Sequence, residues 1–187
     1  MSVKNKRWSC RSFKKIDVDD LVLKRIVHCG FLSAVGENLY NEFQFTIVNL
    51  EDMDHLSLHL LDFFKGEDIT YKAEAMIIIG VDENVYKKNK MICDISSGIV
   101  ATYLERKALK LGLGVCFTTK INDFYKNYKV NSLPKGKVIL QDDKYEPILA
   151  LLVGYPSDFK RKGSYHPIKF KFLKHLKDGD KRLKKNQ

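Results

Sequence analysis

The chain of 187 residues has four cysteines, Cys10, Cys29, Cys93 and Cys116, and no two of them are close enough to form a CxxC pair. Zinc and iron–sulfur centres draw on closely spaced ligands, and disulfide frameworks belong to small secreted chains. Neither is expected here, and the cysteines read as small, semi-apolar residues. A nucleophilic role would need a neighbouring base, which the sequence does not locate. The longest apolar run, Ala75-Met76-Ile77-Ile78-Ile79-Gly80-Val81, is far short of the ~20 residues that span a bilayer, so no membrane partner is expected. The opening Met1-Ser2-Val3-Lys4-Asn5-Lys6 is basic with no apolar segment behind it, unlike a secretory signal. A cytoplasmic location is the expectation. Catalytic signatures are missing as well: no Ser-His-Asp spacing, HExxH or P-loop occurs. His28, His55, His59, His166 and His175 form no metal set, because His55 and His59 would share a helix face but lack a third ligand.

What the chain does contain is the make-up of one globular domain, residues 1–187, with 44% hydrophobic and 30% charged residues and no repeat or low-complexity stretch. The net charge of +10 is unevenly placed. Residues 160–187 hold eleven of the 33 basic and two of the 23 acidic residues, a balance of +9 that leaves +1 for the rest. The body is therefore electrically balanced, and residues 160–187 form a basic C-terminal arm, solvated or adhesive for polyanions. Within it Ile168, Phe170 and Phe172 alternate with Lys169 and Lys171, the period of a strand with one buried face.

Periodicity gives a mixed α and β order. Asp17 or Asp19 can cap a helix carrying Leu21, Leu23, Ile26, Val27 and Phe31. Residues 43–50 read as a strand with Phe43, Phe45 and Ile47 on one face, and 54–64 as a helix ended by Gly66. The run from Ala75 is a strand buried on both faces. Residues 94–111 read as a central helix with two apolar sides: Ile95, Ile99 and Tyr103 on one, Val100, Leu104, Ala108 and Leu111 on the other. One side can pack within a subunit, and the other asks for a partner. Gly112 and Gly114 end this helix, Val115 to Ile121 is expected to return as a strand, Leu133-Pro134-Lys135-Gly136 is a turn, and Pro147 to Gly154 is another buried strand.

One segment carries chemistry. In Lys6-Arg7-Trp8-Ser9-Cys10-Arg11-Ser12-Phe13, two guanidinium groups four residues apart bracket a serine hydroxyl. Each guanidinium offers a permanently charged fork of donors that matches two phosphate oxygens, and the hydroxyl adds a third donor. The same residues are also compatible with a solvated cluster of charge. Three further segments follow in order: Ser33-Ala34-Val35-Gly36-Glu37-Asn38-Leu39, then Gly112-Leu113-Gly114, then Gly154-Tyr155-Pro156. With these four motifs, over roughly residues 6–170, the chain resembles the nitroreductase family of FMN-dependent oxidoreductases. It departs from the family pattern at Asn38-Leu39-Tyr40-Asn41-Glu42-Phe43, which lacks a proline and is about one residue longer.

The resemblance implies an α+β fold with a mixed, mainly antiparallel central sheet flanked by helices, assembled as a homodimer. It implies FMN as cofactor, NADH or NADPH as electron donor, and a small-molecule acceptor such as a nitro compound, quinone or enone, with ping-pong kinetics. No catalytic side chain is then required, because the flavin carries the hydride chemistry and the protein binds and orients it. By the same resemblance Arg7, Trp8, Ser9 and Arg11 would hold the FMN phosphate or ribityl chain. Ser33, Val35, Gly36 and Asn38 would reach the FMN held mainly by the partner subunit. Phe117, Thr118, Thr119 and Lys120 would pass the flavin ring, with a backbone N–H of Thr119 or Lys120 on its N5. Lys160, Arg161 or Lys162 would close the phosphate site, and the arm would cross to the partner. Two alternatives stay open: a related flavin chemistry such as dehalogenation or flavin conversion, and a colourless basic protein binding nucleic acid through residues 160–187, where Phe170-Lys171-Phe172 interleaves rings with lysine. Nucleic acid is the less expected partner, since the body carries no excess of positive charge.

Overall fold

The apolar run becomes strand β2 (Ala75–Asp82), buried along its whole length because both faces of the sheet are covered. In the computed structural model, residues 8–33, 36–127 and 144–157 are described. Their four strands stand in the order β1-β2-β4-β3, with β1 (Phe43–Asn49), β3 (Gly114–Thr118) and β4 (Tyr145–Gly154) joined to β2 through antiparallel ladders only. Alternate residues of β2 serve two cores. Ile77 and Ile79 pack with Leu23 and Ile26 of α1 (Asp20–His28) and Val100, Leu104 and Ala108 of α4 (Lys90–Lys110). Met76 and Ile78 pack with Met53, Leu56 and Leu60 of α2 (Leu50–Phe63) and Ile121 and Phe124 of α5 (Lys120–Asn127). A short α3 (Glu83–Lys88) joins β2 to α4.

Local chemistry sets the element ends. Asp19 is the cap of α1, accepting hydrogen bonds from the N–H groups of Leu21 at 2.7 Å and Val22 at 3.3 Å. Helix α2 starts at Leu50, ahead of the expected Asp54, and closes through the left-handed Gly66, whose N–H donates to the Leu61 carbonyl at 2.8 Å. The two sides of α4 separate as the periodicity requires: Val100, Leu104 and Ala108 are buried, whereas Ile95, Ile99 and Tyr103 are exposed.

One element differs from expectation. The strand does not run from Val115 to Ile121; β3 stops at Thr118 and α5 starts at Lys120. The Thr118 hydroxyl accepts the Lys120 N–H at 3.2 Å, and Ile121 and Phe124, three residues apart, turn together into the core. The two β-branched threonines concealed this helix start in the sequence. Arg7, Val35, the turn at Leu133-Pro134-Lys135-Gly136, and the arm with Lys160, Arg161 and Lys162 lie outside the described residues. Among the described residues no helix is long and apolar enough to cross a membrane, and no His, Cys, Asp or Glu group could hold a metal ion.

Candidate functional site

Three of the four motifs meet at one end of the sheet. Gly114 and Gly154 are cross-strand partners at the end of the β3–β4 ladder. The segment from Trp8 to Phe13 lies against them. Cys10 N–H donates to the Val115 carbonyl at 2.8 Å, Lys14 N–H to Tyr155 at 2.8 Å, and Ser157 N–H returns to Ser12 at 3.0 Å. Phe13 forms a bridge with Pro156. Gly114 makes room for this contact, and Gly154 leaves little space to spare. A Cβ on Gly114 would stand 2.7 Å from the Cys10 sulfur and 2.8 Å from its Cβ, and one on Gly154 would stand 3.0 Å from the Phe13 ring. A bare backbone lets the segment settle without strain.

The docked segment sorts its side chains. Cys10 and Phe13 are buried, Trp8 is half-buried against the α2–α5 core, and Ser9, Arg11 and Ser12 are exposed. Arg11 lies close enough to β3 to act on Cys116, where burial pushes the thiol above the ordinary cysteine range and the guanidinium partly offsets it. Burial likewise raises Cys10, partly opposed by its bond to the Ser12 carbonyl. The outer surface therefore presents one fixed positive charge between two serine hydroxyls beside the end of β3, a donor set suited to an oxyanion.

Past β3 the residues divide. Phe117 packs partly into the α1–α4 core, Thr118 is half-buried and engaged at the start of α5, and Thr119 is exposed. Lys120 faces α2: its ammonium pairs with Glu67 at 2.5 Å and stands 5.3 Å from the centre of the Phe64 ring. The Lys120 N–H, one of the two backbone donors expected to face the flavin ring, is taken by the Thr118 hydroxyl at 3.2 Å.

The fourth motif is elsewhere. Ser33 is buried and its hydroxyl donates to the Gly30 carbonyl at 2.6 Å, so it braces the turn from inside. Gly36 N–H donates to the Ser96 hydroxyl of α4 at 3.2 Å, and a Cβ on Gly36 would stand 3.0 Å from Ile92. Asn38 belongs to the seven-residue 3₁₀ helix Gly36–Glu42. Helix α4 and the Trp8–Phe13 segment cover opposite faces of the sheet, so one subunit does not bring the two groups together. Ser96 is one of three successive small residues, Ser96-Ser97-Gly98, that allow another backbone to come close, and the Gly36 loop does so here; neither Ser96 nor Glu67 was among the expected site residues.

No family model matches the sequence, and no curated protein matches it. Solved structures do. A nitroreductase with bound FMN from Desulfitobacterium hafniense DCB-2 is 18% identical with a TM-score of 0.72, the match covering 90% of this chain and 95% of that one. An FMN-dependent nitroreductase from Clostridium difficile R20291 is 24% identical with a TM-score of 0.60, covering 86% and 88%. The NfrA1 nitroreductase from B. subtilis is 16% identical with a TM-score of 0.66, covering 95% and 75%. The chain has the nitroreductase fold.

Proposed function

We propose that the protein is an FMN-dependent oxidoreductase that uses NADH or NADPH to reduce a small electron-poor acceptor, a nitro compound, quinone or enone, with ping-pong kinetics. The observation that carries this reading is the packing of the Trp8–Phe13 segment onto the Gly114–Gly154 pair, which fixes Ser9 and Arg11 beside the end of β3. The donor set fits FMN. Arg11, with Arg7 and Ser9, would hold the dianionic phosphate, and Lys160, Arg161 or Lys162 would complete its neutralisation. Trp8 and Phe117 would supply apolar surface, and the Thr119 N–H would stand at the ring as a preorganised donor. When bound, the flavin supplies the hydride chemistry, which accounts for the missing acid–base and metal sets.

The same reading makes the protein a homodimer. Met91, Ile95, Ile99 and Tyr103 expose an apolar stripe along α4, with Phe31 and Leu32 also uncovered. A partner covering that stripe would bring its own Gly36–Glu42 helix to the site. The deciding experiment is the absorption spectrum of the purified protein, followed by FMN titration of the apo form. Bound flavin bleached by NADH or NADPH supports the reading, and a chain that stays colourless in excess FMN refutes it. Arg11→Ala should weaken FMN about ten- to a hundredfold, the loss of a charge-assisted pair.

A further inference from the structure

Helix α2 turns two large side chains away from the core. Leu58 and Leu61 are 65% and 38% exposed, while Leu56 and Leu60 of the same helix are buried. The two exposed leucines are not isolated. With Phe13 and Ala73 they form the apolar floor of a cavity of about 480 Å³ between α2, the chain around Phe13 and the turn that leads into β2. Asp68 holds that turn in shape, accepting from the Thr70 N–H at 2.9 Å and from its hydroxyl at 2.6 Å, and the Thr70 oxygen in turn accepts the Lys72 N–H at 3.3 Å. The wall is thus preformed, and the space lies in the roughly 300–1,000 Å³ range that encloses small organic ligands.

Three carboxylates, Asp54, Asp68 and Glu74, border the floor, against Lys15 and Lys72. The lysines do not neutralise them: among the described residues neither ammonium group pairs with a carboxylate, and the Asp54 and Glu74 side chains take part in no hydrogen bond or ion pair. Glu74 feels the excess of negative charge. Burial first, then the charges of Asp17 and Asp54, raise its carboxyl above the usual range, and Lys15 only partly opposes them. The surrounding sequence has the same sign, with six Asp or Glu and one Lys over residues 50–68 of a chain whose net charge is +10. An added cation at this rim would relieve the repulsion, and an added anion would increase it. An apolar body laid over the floor would cover the leucines that the fold leaves in water. We infer that this cavity binds a small organic cation, a primary amine with an aromatic or branched apolar body, the body resting on Phe13, Leu58 and Leu61 and the ammonium on Asp54 and Glu74. None of the residues assigned to the flavin lines the cavity, so the inference stands independently of the proposed activity.

The probe is phenethylamine, titrated by calorimetry into the full-length protein, with phenethyl alcohol and hydrocinnamate as neutral and anionic ligands of similar body. The amine should bind roughly three- to thirtyfold more tightly than the alcohol, and the acid more weakly than either, as two partly exposed charge contacts require. Raising salt from about 0.05 to 0.5 M should narrow the gap between amine and alcohol severalfold. Asp54→Asn together with Glu74→Gln should bring the amine to the alcohol's affinity and leave the alcohol unchanged. Leu58→Ser should weaken amine and alcohol alike, and circular dichroism checks that both variants are folded. Amide chemical shifts moved by the amine should cluster over residues 54–74. Equal affinity for the three probes, no saturable binding of the amine at millimolar concentration, unaltered binding in the variants, or shifts centred elsewhere would each overturn the inference.

Discussion

Replacing Gly114 with alanine adds one methyl group at the point where two distant motifs touch. That methyl would stand 2.8 Å from the Cys10 Cβ and 2.7 Å from its sulfur, where ordinary contact starts at 3.4 Å. The sulfur is a light end that a rotation can move, but the Cβ is fixed to the backbone. The Cys10 segment must therefore retreat by about 0.6 Å or more to reach unstrained separation. The retreat lengthens the Cys10 N–H bond to Val115, now 2.8 Å. Overpacking of this kind costs about 1–3 kcal/mol. In a chain of this size that lowers Tm by roughly 2–12 °C. Arg11 follows Cys10 in the same segment, so FMN affinity should fall with it.

A double-mutant cycle isolates the contact. Cys10→Gly deletes both atoms that meet the new methyl, so Gly114→Ala should cost little in that background, giving an interaction of about 1–3 kcal/mol of rescuing sign. Denaturant melts of the four proteins, with FMN titrations alongside, measure it. If the two substitutions are simply additive, or if Gly114→Ala leaves Tm unchanged, the segment does not rest on Gly114 as described.

Ile95→Glu places a charge in the exposed α4 stripe, and a two-fold interface feels it twice. Each lost isoleucine burial is worth about 1.5–3 kcal/mol, so sedimentation should shift markedly from dimer to monomer, and an unchanged dimer would put the interface elsewhere. Asp82 caps α3 through the N–H groups of Asn84 and Val85, and the hydrogen bond from Lys144 chiefly holds its carboxyl below the usual carboxylate range. A depressed folded-state value means that its stabilisation is present above the unfolded carboxylate pKa, near 4, and is lost as pH falls through the folded value. Asp82→Ala should therefore cost about 0.5–2 kcal/mol at pH 7 for the cap alone, and the difference from the parent should shrink in melts taken below pH 4; a gap that persists there would contradict the assignment.

The elements that were legible in the sequence are those where one physical rule decides. The run Ala75–Val81 could only be a strand covered on both sides, and the two apolar sides of α4 followed from its spacing. Asp19 was among the two residues able to cap α1, and the choice needed coordinates because both aspartates precede the same helix. The start of α5 was hidden because Thr118 and Thr119 favour strands locally, while the burial of Ile121 and Phe124 is decided by the sheet. At the candidate site, a surface position for the charged and hydroxyl side chains of Arg11, Ser9 and Ser12 was readable from residue type. That Lys120 turns to Glu67, and that Ser33 spends its hydroxyl on Gly30, was not, since both depend on what the tertiary structure places alongside.

The Gly36 motif sits apart from the others because it is held by α4, on the other face of the sheet. Gly36 is pressed onto Ile92 and Ser96, and the neighbouring residues Met91, Ile95 and Ile99 of the same helix are the exposed ones. Whatever covers that stripe must come close to the Gly36–Glu42 turn as well, because α4 carries both. The Arg11 surface, on the opposite face of the sheet, is reached from the Gly36 loop only by way of a second molecule. A helix apolar on two sides could thus do two jobs: its inner side completes the core, and on the proposed reading its outer side would set the position from which one chain's loop meets the other's Arg11 segment. Under the proposed function, the dimer would be a condition for a complete site.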